Sequence, residues 1–193
     1  LTLNGGEVAL KKGIFKGQKK LAVTTEAGEI TLGEETGGPA FESNEEINIY
    51  GKGVVTLKGG SYTSLGKATV TAEGDLVVGS LLGGKLLLEA ATTLDFKGKD
   101  ITFHNADLIG LTYLKAITEI GEIKVLGSHF TAASQNLLHF KGHSLTIQGG
   151  DFKGLNEKVW FETTAGNLTL NEASSTLKVH SNKKIEIGSK GDL

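Results

Sequence analysis

The sequence predicts an all-β chain wound as a single-stranded right-handed β-helix, a β-solenoid with about two coils per ~45-residue repeat. Three observations predict it: short runs that alternate apolar and polar residues, glycine-rich joints between the runs, and two markers that keep one beat along the chain.

The runs come first. Leu1-Thr2-Leu3, Val8-Ala9-Leu10, Ile30-Thr31-Leu32, Ile47-Asn48-Ile49, Val55-Thr56-Leu57, Ile101-Thr102-Phe103, Leu145-Thr146-Ile147, Leu168-Thr169-Leu170 and Ile185-Glu186-Ile187 share one pattern. Each puts two apolar side chains on one face and a small or polar one on the other, as a half-buried strand requires. The joints carry Gly-Gly, Gly-Lys, Gly-Glu and Asn-Gly pairs, which suit corners with unusual backbone angles. Leu81 to Ala91 is the one stretch with helix-forming content, and its paired glycines and threonine tail argue against a helix.

The beat is the stronger signal. Runs beginning at Leu1, Ile47, Leu94, Leu138 and Leu177 are spaced by 46, 47, 44 and 39 residues. A second marker at Ile30, Leu76, Ile123 and Leu168 follows Gly-Glu, Gly-Asp, Gly-Glu and Gly-Asn at spacings of 46, 47 and 45. Each repeat divides into two halves of ~20–24 residues, the size of one coil of three short strands. About nine coils at ~4.8 Å each give a rod of roughly 40 Å. A sandwich or barrel shows no register of this kind, and a propeller lacks its tryptophan-aspartate or kelch-like marks here. Proline would remove a ladder hydrogen bond at nearly every position, so the single Pro39, after Thr36-Gly37-Gly38, is read as part of a loop bulging from a coil. Residues 1–193 are read as one solenoid domain, a fragment of a longer repetitive protein, since Leu1 opens directly in a strand pattern.

Val125-Leu126-Gly127-Ser128-His129-Phe130-Thr131-Ala132, Asn136-Leu137-Leu138, Leu145-Thr146-Ile147-Gln148-Gly149-Gly150-Asp151 and Ala165-Gly166-Asn167-Leu168-Thr169-Leu170-Asn171-Glu172-Ala173 carry a family likeness. They alternate "hydrophobic-x-Gly-Ser" with "Ala-Gly-Asn/Asp-Leu-x-Leu" segments. This resembles the repeats of filamentous haemagglutinin and related exoproteins of two-partner secretion, which include the stalks of contact-dependent growth-inhibition toxins. Lysine and glutamate are more frequent here than in that family, and its asparagine- and alanine-rich runs are thin. The resemblance implies a secreted or cell-surface fibrous protein, an adhesin shaft or toxin-display stalk without catalysis, whose partners are host or bacterial surface glycans or proteins. The alternatives are a polysaccharide-binding or -degrading β-helix of tailspike or lyase type, and a self-assembling filament subunit whose open coils stack end to end.

Composition narrows the chemistry. There are 20 basic residues, all lysine, against 22 acids, for a net charge of −2, which argues against nucleic acid as a partner. With no cysteine there is no thiol chemistry, and no apolar run approaches the ~20 residues of a membrane span. Lyases on β-helices lean on an acid cluster with a basic residue, commonly arginine, and hydrolases on converging carboxylates. The six aspartates are Asp75, Asp95, Asp100, Asp107, Asp151 and Asp192, of which Asp107 and Asp151 hold equivalent places in adjacent repeats. No catalytic, cofactor or metal residue is assigned. His139 and His143 lie four apart, which is not a one-face spacing in a strand-turn-strand. The cluster Lys11, Lys12, Lys16, Lys19 and Lys20 reads as a solvated face, with anionic glycan or lipid headgroups as the sharper reading. Trp160 alternates out of phase with Val159 and Phe161, so it is a candidate sugar platform, and Trp160, Asp107 and Asp151 are the expected glycan contacts.

Overall fold

A computed structural model describes residues 1–82, 86–127, 129–170 and 176–191. Each alternating run becomes a strand, and the strands sort into three parallel sheets in strict rotation, about eight turns of a β-solenoid. Sheet A holds β1 (Thr2–Gly5), β4 (Lys20–Thr25), β7 (Glu46–Gly51), β10 (Lys67–Ala72), β13 (Thr93–Lys97), β16 (Tyr113–Ile117), β19 (Leu137–Gly142), β22 (Lys158–Thr163) and β25 (Lys184–Gly188). Sheet B holds β2 (Val8–Leu10), β5 (Ile30–Leu32), β8 (Val55–Leu57), β11 (Leu76–Val78), β14 (Ile101–Phe103), β17 (Glu122–Val125), β20 (Ser144–Ile147) and β23 (Leu168–Leu170). Sheet C holds β3 (Ile14–Gly17), β6 (Ala40–Ser43), β9 (Gly60–Ser64), β12 (Leu86–Ala90), β15 (Asp107–Gly110), β18 (Thr131–Ser134), β21 (Gly150–Gly154) and β24 (Leu177–Ser181).

Residues three strands apart stand in columns. Leu21, Ile47, Ala68, Leu94, Leu114, Leu138 and Val159 form one inward column of sheet A, all with no solvent exposure. Sheet C stacks Phe15, Phe41 and Tyr62 with ring centroids 5.0 and 5.2 Å apart. Farther along, Phe140 touches the rings of Phe103, Phe130, Phe152 and Phe161 at centroid distances of 5.5–6.5 Å. Phe130 reaches this aromatic core from a corner and not from a strand.

Small residues hold the corners. Gly17, Ser43, Ser64, Ala90, Gly110, Ser134, Gly154 and Ser181 form one column at the turn from sheet C to sheet A. A Cβ on Gly110 would meet the Tyr113 carbonyl oxygen at 2.2 Å, so the turn closes too tightly for a side chain. Where the column carries serine, the hydroxyl donates to a corner carbonyl, as Ser134 Oγ does to Thr112 O at 2.8 Å. These buried hydroxyls thereby satisfy backbone groups that a bend would otherwise orphan.

The 46-residue beat has a geometric origin. All but one of the C-to-A corners have two residues, but the B-to-C corners run three, seven, two, seven, three, five, two and six residues along the chain. Long and short corners alternate, so the repeat spans two coils. Pro39 ends the long corner 33–39, as the loop reading expected. Gly33 and Gly79 open two of the long corners at φ +87° and +90°, angles that disfavour any side chain.

Two readings need correction. The marker at Leu177 falls on sheet C, whereas Leu138 lies on sheet A; the true successor in its column is Ile185, 47 residues on. The turns number about eight rather than nine. Residues of the tempting stretch 81–91 form β12 from Leu86 to Ala90, and Gly83, Gly84 and Lys85 lie outside the described residues, as do Ser128, Asn171, Glu172, Ala173 and Asp192.

The packing sets two expectations. F140A should lose about 3–5 kcal/mol of stability in urea unfolding, because four neighbouring rings cannot collapse into the gap. G79A should lose about 1–2 kcal/mol, since the corner holds this residue at φ +90°, which a Cβ disfavours, and the Cβ would meet Asn105 O at 2.8 Å. Serine at Gly6, where nothing lies within 4 Å of a Cβ and the backbone is not left-handed, supplies the milder comparison.

Candidate functional site

Sheet A presents its outer face as columns too, and one of them reads Asp95, Lys115, His139, Trp160, Glu186. Trp160 therefore faces outward. Its indole ring stacks on His139 with centroids 4.1 Å apart and planes within 5°. The Lys158 ammonium stands 3.7 Å from the indole centroid. Two groups this close cannot share a face, so His139 covers one side of the ring and Lys158 the other. What remains open to a ligand is the indole edge.

Charges lock this sandwich. Glu162 Oε2 lies 3.2 Å from His139 Nε2, and its other oxygen accepts a hydrogen bond from Lys141 Nζ at 3.0 Å. Lys158 and Lys184 both pair with Glu186 on the next rung. Burial lowers the His139 pKa below the ordinary imidazole value, with Lys141 and Lys158 pushing the same way against the Glu162 bond. Partial burial acts to raise the Glu162 pKa, but Lys141 and His139 together outweigh it and hold the carboxyl below its usual range.

Asp107 and Asp151 share an outward column of sheet C, with Thr131 between them. Two strand spacings, about 9.6 Å, separate their rungs. Asp151 pairs with Lys153 at 2.7 Å. This face is a different sheet from that of Trp160, so the three expected glycan contacts do not converge on one patch. His139 and His143 also part company, the first on sheet A and the second at the following corner. In the lysine cluster, Lys11, Lys16 and Lys20 reach one rung up to Glu34, Glu42 and Glu46 at 3.1, 2.7 and 3.3 Å. Among the described residues, no group of three or more histidine and acidic side chains is placed to hold a metal ion.

A second feature escaped sequence reasoning. Under the long corner 33–39, a pocket of about 370 Å³ opens on the outer face of sheet B. Ala9 and Thr31 floor it, Glu34, Glu35 and Thr36 of the corner wall it, and Lys11 and Lys58 close its two ends. Lys11 pairs with Glu34 at 3.1 Å and Lys58 with Glu35 at 3.8 Å. Glu35 also accepts from the Ser80 hydroxyl two coils on, Asn105 Nδ2 donates to Ser80 O at 3.2 Å, and the His129 amide donates to Asn105 Oδ1 at 3.1 Å. That chain of bonds ties successive B-to-C corners into one ridge. His104 belongs to it, its Nδ1 buried without a hydrogen-bond partner and its pKa pushed down by burial against the pull of Glu35. The doubled Glu34-Glu35 beside glycines was the only trace of this pocket in the sequence, and nothing there told that the lysines of two other coils would meet it.

Comparison with protein-family models, with curated proteins and with solved structures finds no match to the chain.

The folded chain holds His139 and Glu162 below their ordinary pKa values, so the unfolded chain binds those protons more tightly. The stability they contribute is complete above about pH 6.5 and falls as acid titrates first the imidazole and then the carboxylate range. Trp160 is the lone tryptophan. Its emission should titrate with a midpoint below about 6.5, and H139Q should abolish that transition.

Proposed function

We propose that the chain is a shaft segment of a secreted or cell-surface fibrous protein, an adhesin stalk or toxin-display stalk of the filamentous-haemagglutinin kind. The observation that carries this reading is the unbroken register of the inward columns, which makes one continuous core parallel to the rod axis. About eight turns at ~4.8 Å span roughly 40 Å, with every strand hydrogen-bonded on both sides except at the two terminal rungs. Such a rod holds a module at a distance and denies proteases an extended backbone. Charge supports the same reading: lysines and acids of opposite sign face one another on adjacent rungs, so the coat stays soluble without repelling itself along the axis. No residue has a catalytic role in this reading. The resemblance in Val125–Ala132 and Ala165–Leu170 supports the choice of family.

Deleting residues 47–93 removes two whole coils and rejoins the same column, since Ile47 and Leu94 are equivalent. The shortened shaft should still fold and still deliver the adhesive or toxic module carried by its parent, with its reach cut by about 9.6 Å. Loss of delivery by a folded deletion, or turnover of a polysaccharide by the intact chain, would overturn the proposal.

One observation favours a second reading, end-to-end association with another copy. Ile185 and Ile187 continue the inward columns of sheet A but are 45% and 47% exposed, and Leu3, Val8, Leu10 and Phe15 at the opposite end are only partly buried. On this reading sedimentation velocity should show a concentration-dependent ladder of rods; a single monomeric species up to millimolar concentration would remove it.

A further inference from the structure

We infer that the outer face of sheet B, beside the B-to-C corner ridge, is a trough that binds a neutral linear glycan lying parallel to the solenoid axis. The inference rests on the reading of the chain as an adhesive shaft and gives that shaft a ligand and a place to hold it.

The floor carries hydroxyls at the pocket. Thr31 and Thr56 face outward on adjacent rungs of sheet B, and the same column continues as Val77, Thr102, Lys124, Thr146 and Thr169, with the Thr146 hydroxyl donating to Glu122. The wall is the corner ridge as described at 33–39, 79–82, 104–106 and 126–127, and its long members start after Leu32, Val78 and Val125, every two coils, about 9.6 Å. That step is close to the length of a disaccharide unit, so a linear glycan on this face would offer an equivalent pair of rings to each long corner. The pocket of about 370 Å³ beneath corner 33–39 is an open subsite of this face.

The chemistry of the pocket selects the ligand. Its two ammonium groups and two carboxylates pair off, so it carries no net charge to favour an ionic ligand. The same four groups, with the Thr31 and Thr36 hydroxyls, offer donors and acceptors in alternation, which suits a ligand rich in hydroxyls. An extended peptide is a poor occupant of this face, because the backbone groups of β5 and β8 are committed to the ladder on both sides and the one open edge, that of β2, lies on the side away from β5. Orientation follows from the ends: Lys11 lies one coil below Glu34, and Lys58 one coil above Glu35, so the pocket is elongated across rungs. Trp160 stands on another sheet and takes no part.

The test is an amide NMR titration of the 193-residue chain with cellohexaose, maltohexaose, laminarihexaose and a heparin hexasaccharide. At least one neutral hexasaccharide should shift the amides of Thr31, Glu34, Glu35, Thr36 and Lys58, with a Kd of about 1 mM, as expected where no aromatic ring is stacked. K58A, whose spectrum elsewhere should be unchanged, should weaken that binding at least fivefold. No shift with any neutral sugar, shifts with heparin alone, shifts centred on Trp160, or undiminished binding by K58A would each overturn the inference. The shaft proposal stands or falls separately, on delivery by the two-coil deletion.

Discussion

Everything in this molecule depends on the in-register parallel ladder. Along each inner strand, residues turn their amide and carbonyl groups alternately to the coil below and the coil above, as Gly33 N bonds back to Leu10 O and Ile30 N bonds on to Val54 O, so a side chain's axial neighbours are residues at the same position of the adjacent coils. An apolar column is stabilised at every rung, and an inward polar residue would disturb two neighbours at once. Outside, the rule becomes electrostatic: like charges one rung apart would repel, and the pairs Lys16–Glu42, Lys20–Glu46 and Lys141–Glu162 alternate sign. Each exposed pair contributes at most about 1 kcal/mol, so their effect is on which register and which surface is tolerated more than on total stability.

The fold was legible because both of its periods are written in the chain: two residues along a strand, and 46 along the solenoid. Ile30, Leu76, Ile123 and Leu168 all land on sheet B at the same inward position. The misplaced marker at Leu177 shows where this reasoning stops. Leu-Lys-Val of sheet C and Ile-Glu-Ile of sheet A have the same alternation, and only corner lengths tell the sheets apart.

Contacts between coils were harder to read for the same reason. Trp160 meets His139 because the three corners between them sum to the right number of residues, an addition that alternating patterns alone do not supply. Asp107 and Asp151 are equivalent by repeat, yet the repeat is two coils, so Thr131 must intervene. The outward face of Trp160 could be inferred from Val159 and Phe161; the covering of its ring by Lys158 and His139 could not.

The columns of glycine, alanine and serine at the C-to-A corners divide the chain into positions with very different freedom. Even a Cβ would strike a carbonyl at Gly17 and Gly110, at 2.6 and 2.2 Å, and the Val159 side chain at Gly154, at 2.7 Å, so the line behaves as a keel. The outward columns carry no such restriction. Apart from the stacked His139 and Trp160, their side chains reach toward solvent, and one can be exchanged for another without displacing a rung. Such a shaft can change its whole coat, charge by charge and loop by loop, and remain the same straight object underneath.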